Sequence, residues 1–273
     1  MHAEVLDMLN SGAAEIARLR IQLTQMNTAD IADIFEHASQ GEAVRLFRLL
    51  PKNLAADTFA YLSPEKQQFL VEVLTDSEIG LILNDLFVDD LADFIEEVPA
   101  LVVNRVLNNV SSEKRRIVNQ ILNYPKDSAG SIMTTEYVEL ADNCTVRQAL
   151  DYIRETGLNK ETIYTCYVTA TDQVYYKKLK GAVSAGALLH ADPAQSVADI
   201  MDKNVIFAHT TDDRETVVDM FRKYGLLAMP VVDKEEQLVG IVTIDDVLDI
   251  ITEETTEDFE KMAAVSPNDE PYL

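Results

Sequence analysis

The sequence lacks tryptophan, has only 2 cysteines and carries few basic residues for its 273 positions. Cys144 and Cys166 belong to no CxxC pair, which argues against a zinc knuckle or a disulfide framework and fits a reducing compartment. The 23 basic against 47 acidic side chains give a formal charge of −24. Such a surface repels phosphate backbones, so we expect no nucleic-acid partner and consider cations the better candidates.

Long apolar runs are also missing, since no stretch approaches the roughly 18 residues of a membrane span. We therefore expect a soluble chain. With 47% apolar and 26% charged residues it should fold, and its length suits two or three domains.

The first part of the chain has apolar residues at helical spacing, as in Phe94, Val98 and Leu101. This pattern predicts an all-helical N domain over residues 1–125. The segment Leu62–Gln67 returns 48 residues later as Val110–Arg115, which favours stacked helix pairs forming a superhelix. A four-helix bundle is the alternative.

After Pro125 the sequence changes to short β-branched strands alternating with helices. Two copies of a β-α-β-β-α unit follow, because Ile132-Met133-Thr134 is echoed by Ile200-Met201-Asp202 and Gly181–Ser184 by Gly240–Thr243. We place the copies at residues 126–192 and 193–252, followed by an acidic connecting helix and tail at residues 253–273.

The pattern of Gly240, Thr243 and Asp246 resembles the CBS (cystathionine β-synthase) repeat, which usually occurs as a pair. The junction Tyr124–Thr134, with the acidic run Glu253–Phe259, resembles the borders of the CBS pair in the MgtE family of magnesium channels. The resemblance implies a multidomain fold: an all-α helical superhelix, then an α+β tandem CBS-domain pair and a C-terminal connecting helix. It also implies a magnesium-sensing region that gates a pore whose transmembrane domain this chain lacks.

Acidic residues recur at helical-neighbour spacing, for example Asp89 with Asp93 and Asp245 with Asp249. Each such like-charge pair costs roughly 0.2–0.5 kcal/mol on a helix, and Mg²⁺ prefers carboxylate oxygens. A solvated acidic face is the alternative interpretation. The family resemblance implies that metal-binding acids are Asp57, Asp89, Asp93, Asp213, Glu215, Asp246, Asp249, Glu254, Glu257 and Asp258. Gly225 stands where many members of the family have an acid.

These expectations predict that Mg²⁺ draws the acidic helical domain onto the acidic CBS pair. We further expect a homodimer formed through the CBS pair, at the cytoplasmic face of the cell membrane. The acids lack a companion nucleophile or oxyanion group, so we expect no enzyme. Thr243 and Asp246 could instead hold the ribose of ATP or another adenine nucleotide, which leaves open a soluble nucleotide-sensing CBS protein with a helical scaffold.

Overall fold

The computed structural model describes residues 2–171 and 177–262, except the side chains at 253, 254 and 257–262. The chain divides into two compact units, Met1–Gln120 and Ile121–Leu273. The sequence placed this boundary at residue 125. No helix within the described residues combines the length and the apolarity needed to cross a bilayer.

The first unit is helical throughout its described part. Its helices are α1 (His2–Leu9), α2 (Ala13–Leu23), α3 (Thr28–His37), α4 (Gln40–Phe47), α5 (Lys52–Ala60), α6 (Pro64–Val73), α7 (Asp76–Leu83), α8 (Val88–Glu97), α9 (Ala100–Asn109) and α10 (Ser112–Ile121), the last of which reaches the second unit. Local signals set several starts. Pro64 opens α6 at a position where its missing N–H costs nothing, and Thr75 forms a capping box with Glu78 at α7.

Odd-numbered helices contact one another in sequence order, since α1 meets α3, α3 meets α5, α5 meets α7 and α7 meets α9. Each contact buries apolar side chains such as Phe35, Phe59 and Ile79. Repetition of one neighbour contact along the chain is the mark of a stacked superhelix rather than of a closed bundle. The stacking predicted from the repeated segment is therefore confirmed.

Basic side chains cap the carboxyl ends of helices that lie three helices earlier in the chain. These helix ends carry carbonyls without intrahelical partners, which cationic donors satisfy. Arg45 donates to the carbonyl of Leu9, Lys66 to that of Ala38, Arg105 to those of Val71, Glu72 and Leu74, and Lys114 to those of Asn84 and Leu86. Such caps fix the register of the stack.

The second unit contains two copies of one αβ arrangement. The first copy, here called the first repeat, has β1 (Glu139–Ala141), α11 (Val146–Thr156), a 3-10 turn (Gly157–Asn159), β2 (Thr165–Thr169), β3 (Leu179–Ser184) and α12 (Ala185–His190). After α13 (Val197–Ile200), the second repeat has β4 (Ala208–His209), α14 (Arg214–Tyr224), β5 (Ala228–Val232), β6 (Leu238–Thr243) and α15 (Ile244–Met262).

The two sheets have the same topology in the described residues. In each, the first strand runs parallel to the second and the second runs antiparallel to the third, in the orders β1-β2-β3 and β4-β5-β6. Val168 pairs with Gly181 as Val231 pairs with Gly240, and a register shift follows both pairs. The sheets meet through a buried cluster that includes Tyr137 and Tyr167.

The segment that begins each sequence copy packs on the sheet of the other copy. Thr134 exchanges two backbone hydrogen bonds with Ile241 at 2.8 and 2.9 Å, and Asp202 exchanges two with Ala182 at 2.8 and 2.9 Å. A Cβ added to Gly240 would lie 2.5 Å from the sulfur of Met133, so the glycine is needed for this close approach. The compact repeats are therefore not contiguous in sequence.

Helix α15 continues from the second repeat into the acidic run. Val247 and Ile250 are buried in the core of the second repeat, and the backbone stays helical to Met262. No break separates residue 252 from residue 253, where the sequence placed a boundary.

Candidate functional site

The predicted acids of the helical unit lie on two helices. Asp57 is on α5 and faces Asp85, which follows α7, and α5 packs against α7. Desolvation first, and then the Asp85 carboxylate, raise the pKa of Asp57. Lys52 donates to Asp85 at 2.8 Å and offsets part of this repulsion. Sequence spacing could not have joined Asp57 to Asp85, because 28 positions separate them.

Asp89 and Asp93 occupy successive turns of α8. Asp89 is buried, with 6% of its surface exposed, whereas Asp93 is exposed. Asp89 lies in the first turn of the helix, where the helix dipole stabilises negative charge. The two acids therefore differ in access, and Asp93 is the one that an ion in solvent can reach.

Asp213 and Glu215 begin α14 in the second repeat. The Asp213 carboxylate accepts a hydrogen bond from the backbone N–H of Glu215 at 2.9 Å, as an N-cap. Both residues are exposed. The cap gives Asp213 a structural role whether or not it also binds a cation.

Asp246 and Asp249 lie on α15, which packs against α14. Thr243 donates to the Asp246 carboxylate from its hydroxyl at 2.6 Å and from its backbone N–H at 3.2 Å. Desolvation first, and then Asp245, raise the pKa of Asp249. Asp249 in the second unit therefore lies near a second acid, as Asp57 does in the first unit. The side chains of the other predicted acids on this helix, Glu254, Glu257 and Asp258, lie outside the described part.

In the part of the chain that the structure describes, no three or more His, Cys, Asp or Glu side chains lie close enough to hold a metal ion together. The acids instead form pairs and single carboxylates along helices. Such sites suit hydrated Mg²⁺, which usually takes one or two protein carboxylates and keeps several waters.

A cleft of about 460 Å³ lies between the two repeats, and the sequence did not reveal it. The exchanged segment 196–202 passes close by, because Asp202 and Asn204 line the cleft. The remaining lining comes from Thr165, Tyr167 and Ala182 of the first repeat and from Val205, Ile206, Tyr224 to Ala228 and Pro230 of the second. The cleft offers aromatic and aliphatic walls with a few polar groups, as small-molecule sites do.

Thr243 lies beside this cleft. It pairs in register with Ala228, a lining residue. Thr243 is 5% exposed, and its hydroxyl already donates to Asp246. Thr243 and Asp246 therefore lie near the cleft, and their polar atoms bond to one another in this structure.

A helical superhelix joined to paired αβ repeats places this protein in the class of proteins built on tandem CBS domains. Family models agree: residues 26–127 match the MgtE intracellular N domain and residues 197–253 match the CBS domain. The multidomain fold class predicted from the sequence is confirmed.

Individual relatives give the same result. The chain is 36% identical over 258 residues to the magnesium transporter MgtE of Thermus thermophilus, covering 93% of this chain and 56% of that protein. A crystal structure of the cytosolic domain of the Mg²⁺ channel MgtE in complex with ATP is 33% identical, with a TM-score of 0.82, over 92% of this chain and 100% of that one. A crystal structure of the soluble part of a magnesium transporter is 28% identical, with a TM-score of 0.85, over 93% of this chain and 97% of that one. This chain belongs to the MgtE family.

Proposed function

We propose that this chain is the magnesium-sensing regulatory region of an MgtE-type channel or transporter. The chain spans 56% of the length of the Thermus relative. We infer that its partner is the transmembrane pore of the same protein, at the cytoplasmic face of the cell membrane, and that the chain is not an enzyme.

The observation that carries this proposal is the position of Asp57 and Asp249, each of which lies near a second acid; desolvation first, and then that acid, raise the pKa of both carboxyls. A raised pKa means that the ionised form is disfavoured where it stands. A divalent cation would reverse that preference by neutralising both members of a pair. Asp93, Asp213, Glu215 and Asp246 supply further carboxylates, and Asp89, Glu254, Glu257 and Asp258 stay proposed metal ligands on the family resemblance alone.

Sensing requires that Mg²⁺ bind one arrangement of the two units better than another. We propose that the ion favours docking of the helical unit on the CBS pair. A site specific to the docked state, at ten times its Kd, contributes about 1.4 kcal/mol. Several weak sites acting together would make a steep switch, which α15 would pass towards the pore.

Small-angle scattering at constant ionic strength tests this function. The radius of gyration should fall as MgCl₂ replaces NaCl, and Asp93→Asn with Asp249→Asn should weaken the response. Glu65→Gln with Asp199→Asn is the matched control. Both acids are exposed, and their substitution removes the same amount of charge at positions away from the proposed pairs. Superimposable curves with and without Mg²⁺, or equal effects of both double variants, would contradict the proposal.

Adenine-nucleotide binding in the cleft is the second candidate. Its volume and its tyrosine-bearing walls favour a planar ring, and the 33% identical relative was crystallised with ATP. Thr243 and Asp246 already bond to one another, so they would have to share these polar atoms with the ribose in order to hold it. Calorimetry with ATP should give heat that Tyr224→Ala reduces, whereas Tyr152→Ala, on the equivalent helix of the first repeat, should leave it unchanged. Absence of heat with the unmodified chain would exclude this site.

We also propose a homodimer through the CBS pair. The two repeats expose large apolar side chains at equivalent positions, Tyr164 and Leu227 before β2 and β5, and Leu189 and Leu248 on α12 and α15. Exposed apolar groups repeated in this way are typical of a self-association surface. Sedimentation equilibrium should show a dimer that Leu189→Glu weakens and that Leu101→Glu, in the helical unit, does not. An unmodified chain that stays monomeric at high concentration would overturn the proposal.

A further inference from the structure

Tyr167 carries a buried hydroxyl that has no hydrogen-bond partner among the residues described by the structure. The residue is 1% exposed and lies on β2, in the cluster where the two sheets meet. Desolvation raises the pKa of its phenol, so the group stays neutral and keeps its proton. Buried polar atoms are nearly always paired, and an unpaired one in a folded chain therefore calls for an explanation.

The strand geometry turns Tyr167 away from the core of its own repeat. Its neighbours Cys166 and Val168 belong to that core, and successive side chains of a strand point to opposite faces of the sheet. Tyr167 pairs in register with Ala182, and both residues line the cleft of about 460 Å³. The unpaired hydroxyl therefore belongs to the face of the sheet that forms the cleft wall.

Exposure divides the lining of this cleft into a rim and a floor. Asp202 and Asn204 are exposed at the rim, whereas Ala228 and Pro230 are buried at the floor. Neither of these two buried residues has a polar side chain, so the Tyr167 hydroxyl is the polar group that a ligand meets beside them. A ligand seated on the floor needs a polar atom at its inner end, because an apolar one would leave the hydroxyl unpaired.

Neighbouring positions show that the fold does not require this unpaired hydroxyl. The equivalent residue on β5 of the second repeat is Pro230, which has none. The ring of Tyr137 meets that of Tyr167 edge to face, with 6.4 Å between their centroids. Tyr137 is also buried, yet its hydroxyl donates to the carbonyl of Leu238 at 3.3 Å. The protein thus supplies a partner for one tyrosine of the cluster and leaves the other facing the cleft.

We propose that the Tyr167 hydroxyl recognises the base of the nucleotide in the cleft, by donating a hydrogen bond to a ring nitrogen of adenine. This assignment rests on the nucleotide binding proposed above, and it adds the residue that distinguishes a nitrogen heterocycle from an apolar ring. Adenine carries unprotonated ring nitrogens along its edges, which accept from a phenol. The phosphates then lie towards the exposed rim, where their charge stays in water.

Calorimetry on the whole chain with ATP and its 1-deaza, 3-deaza and 7-deaza analogues tests the assignment, since each analogue replaces one ring nitrogen by CH. Tyr167→Phe should weaken ATP binding about tenfold, because it leaves a nitrogen of the base unpaired at the floor. One of the analogues should bind the unmodified chain about tenfold more weakly than ATP does. That analogue and ATP should bind Tyr167→Phe equally.

Thermal melts of the chain without nucleotide give a readout that a purely structural tyrosine would not move in this direction. Tyr167→Phe removes a buried, unpaired oxygen and should raise the Tm by roughly 2–4 °C. Tyr137→Phe is the matched control in the same cluster, and Tyr137 does not line the cleft. It removes a hydroxyl that has a partner, so it should lower the Tm and leave the affinity for ATP within twofold.

The outcomes separate this assignment from the nucleotide binding on which it rests. Absence of heat with ATP and the unmodified chain would exclude the binding and the assignment together. ATP binding that Tyr167→Phe leaves within twofold would overturn the assignment alone. A lower Tm for Tyr167→Phe would overturn it as well, by showing that the hydroxyl is paired in the free chain, and so would a loss of affinity that none of the deaza analogues reproduces.

Discussion

Arg105 is the strongest single cap in the helical unit, and its removal makes a quantitative prediction. Its guanidinium donates to the carbonyls of Val71, Glu72 and Leu74 at 2.6, 2.9 and 2.8 Å. It also donates to one carboxylate oxygen of Asp76 at 2.9 and 3.1 Å. One side chain on α9 thus satisfies the carboxyl end of α6.

The cost of Arg105→Met follows from the groups that it leaves behind. The Val71 and Leu74 hydrogen bonds are partly buried, and each orphaned carbonyl costs roughly 1–3 kcal/mol. The Asp76 side chain is 70% exposed, so the ion pair contributes at most about 1 kcal/mol. We expect a loss of about 3 kcal/mol, which corresponds to a fall in Tm of roughly 10 °C for a unit of this size.

Far-UV circular dichroism in guanidinium is the appropriate assay, because the chain has no tryptophan and its helical unit dominates the signal at 222 nm. Asp76→Asn is the control and should cost less than about 1 kcal/mol, since it removes the ion pair and keeps the caps. Arg105→Lys should fall between the two, because an ammonium cannot reach three carbonyls with fixed geometry. If Arg105→Met and Asp76→Asn cost the same, the capping explanation is wrong.

Three further predictions concern acids and a glycine. The Arg48 side-chain hydrogen bond and the Thr75 backbone hydrogen bond lower the pKa of Glu78 to about 2. Glu78→Gln should therefore cost roughly 1 kcal/mol at pH 7, and urea titrations should show this difference fading as the pH falls from 4.5 towards 2. Asp57 has a raised pKa, so Asp57→Asn should stabilise the chain at pH 7, and thermal melts should show this gain disappearing below about pH 4; a loss of stability at pH 7 would contradict the repulsion. Gly240→Ala would place its Cβ 2.8 Å from the carbonyl of Thr134 and should cost about 2 kcal/mol in chemical denaturation, whereas Gly186→Ala, with only a 3.8 Å contact, should be neutral.

Periodicity and repeated segments predicted the helical unit, the two αβ copies and the order of helices and strands along each copy, because each element depends on patterns within about ten residues. The sequence did not predict that the first segment of each copy packs on the sheet of the other copy. Ile132-Met133-Thr134 and Ile200-Met201-Asp202 were recognised as equivalents, yet nothing in their order shows that each packs on the other copy. That choice depends on tertiary contacts such as Met133 against Gly240.

The sequence likewise predicted one part of the candidate site and missed another. Like-charge spacing along one helix identified Asp245 with Asp249, and in the structure Asp245 adds to the desolvation that raises the pKa of Asp249. The pair of Asp57 with Asp85 has no such spacing, because Asp57 lies on α5 and Asp85 follows α7. The cleft was missed altogether, because its walls come from both repeats and its polar residues form no motif.

Basic residues of the helical unit that cap helix ends are not available to compensate its acidic side chains. Several are committed to backbone carbonyls, as Arg45, Lys66, Arg105 and Lys114 cap helix ends across the stack. Moving any of them towards the acidic surfaces would orphan buried carbonyls at a cost of a few kcal/mol, more than an exposed ion pair returns. Compensation of the remaining negative charge must then come from solution. Monovalent ions only screen it, whereas a divalent cation held between two carboxylates can favour one arrangement of the chain over another.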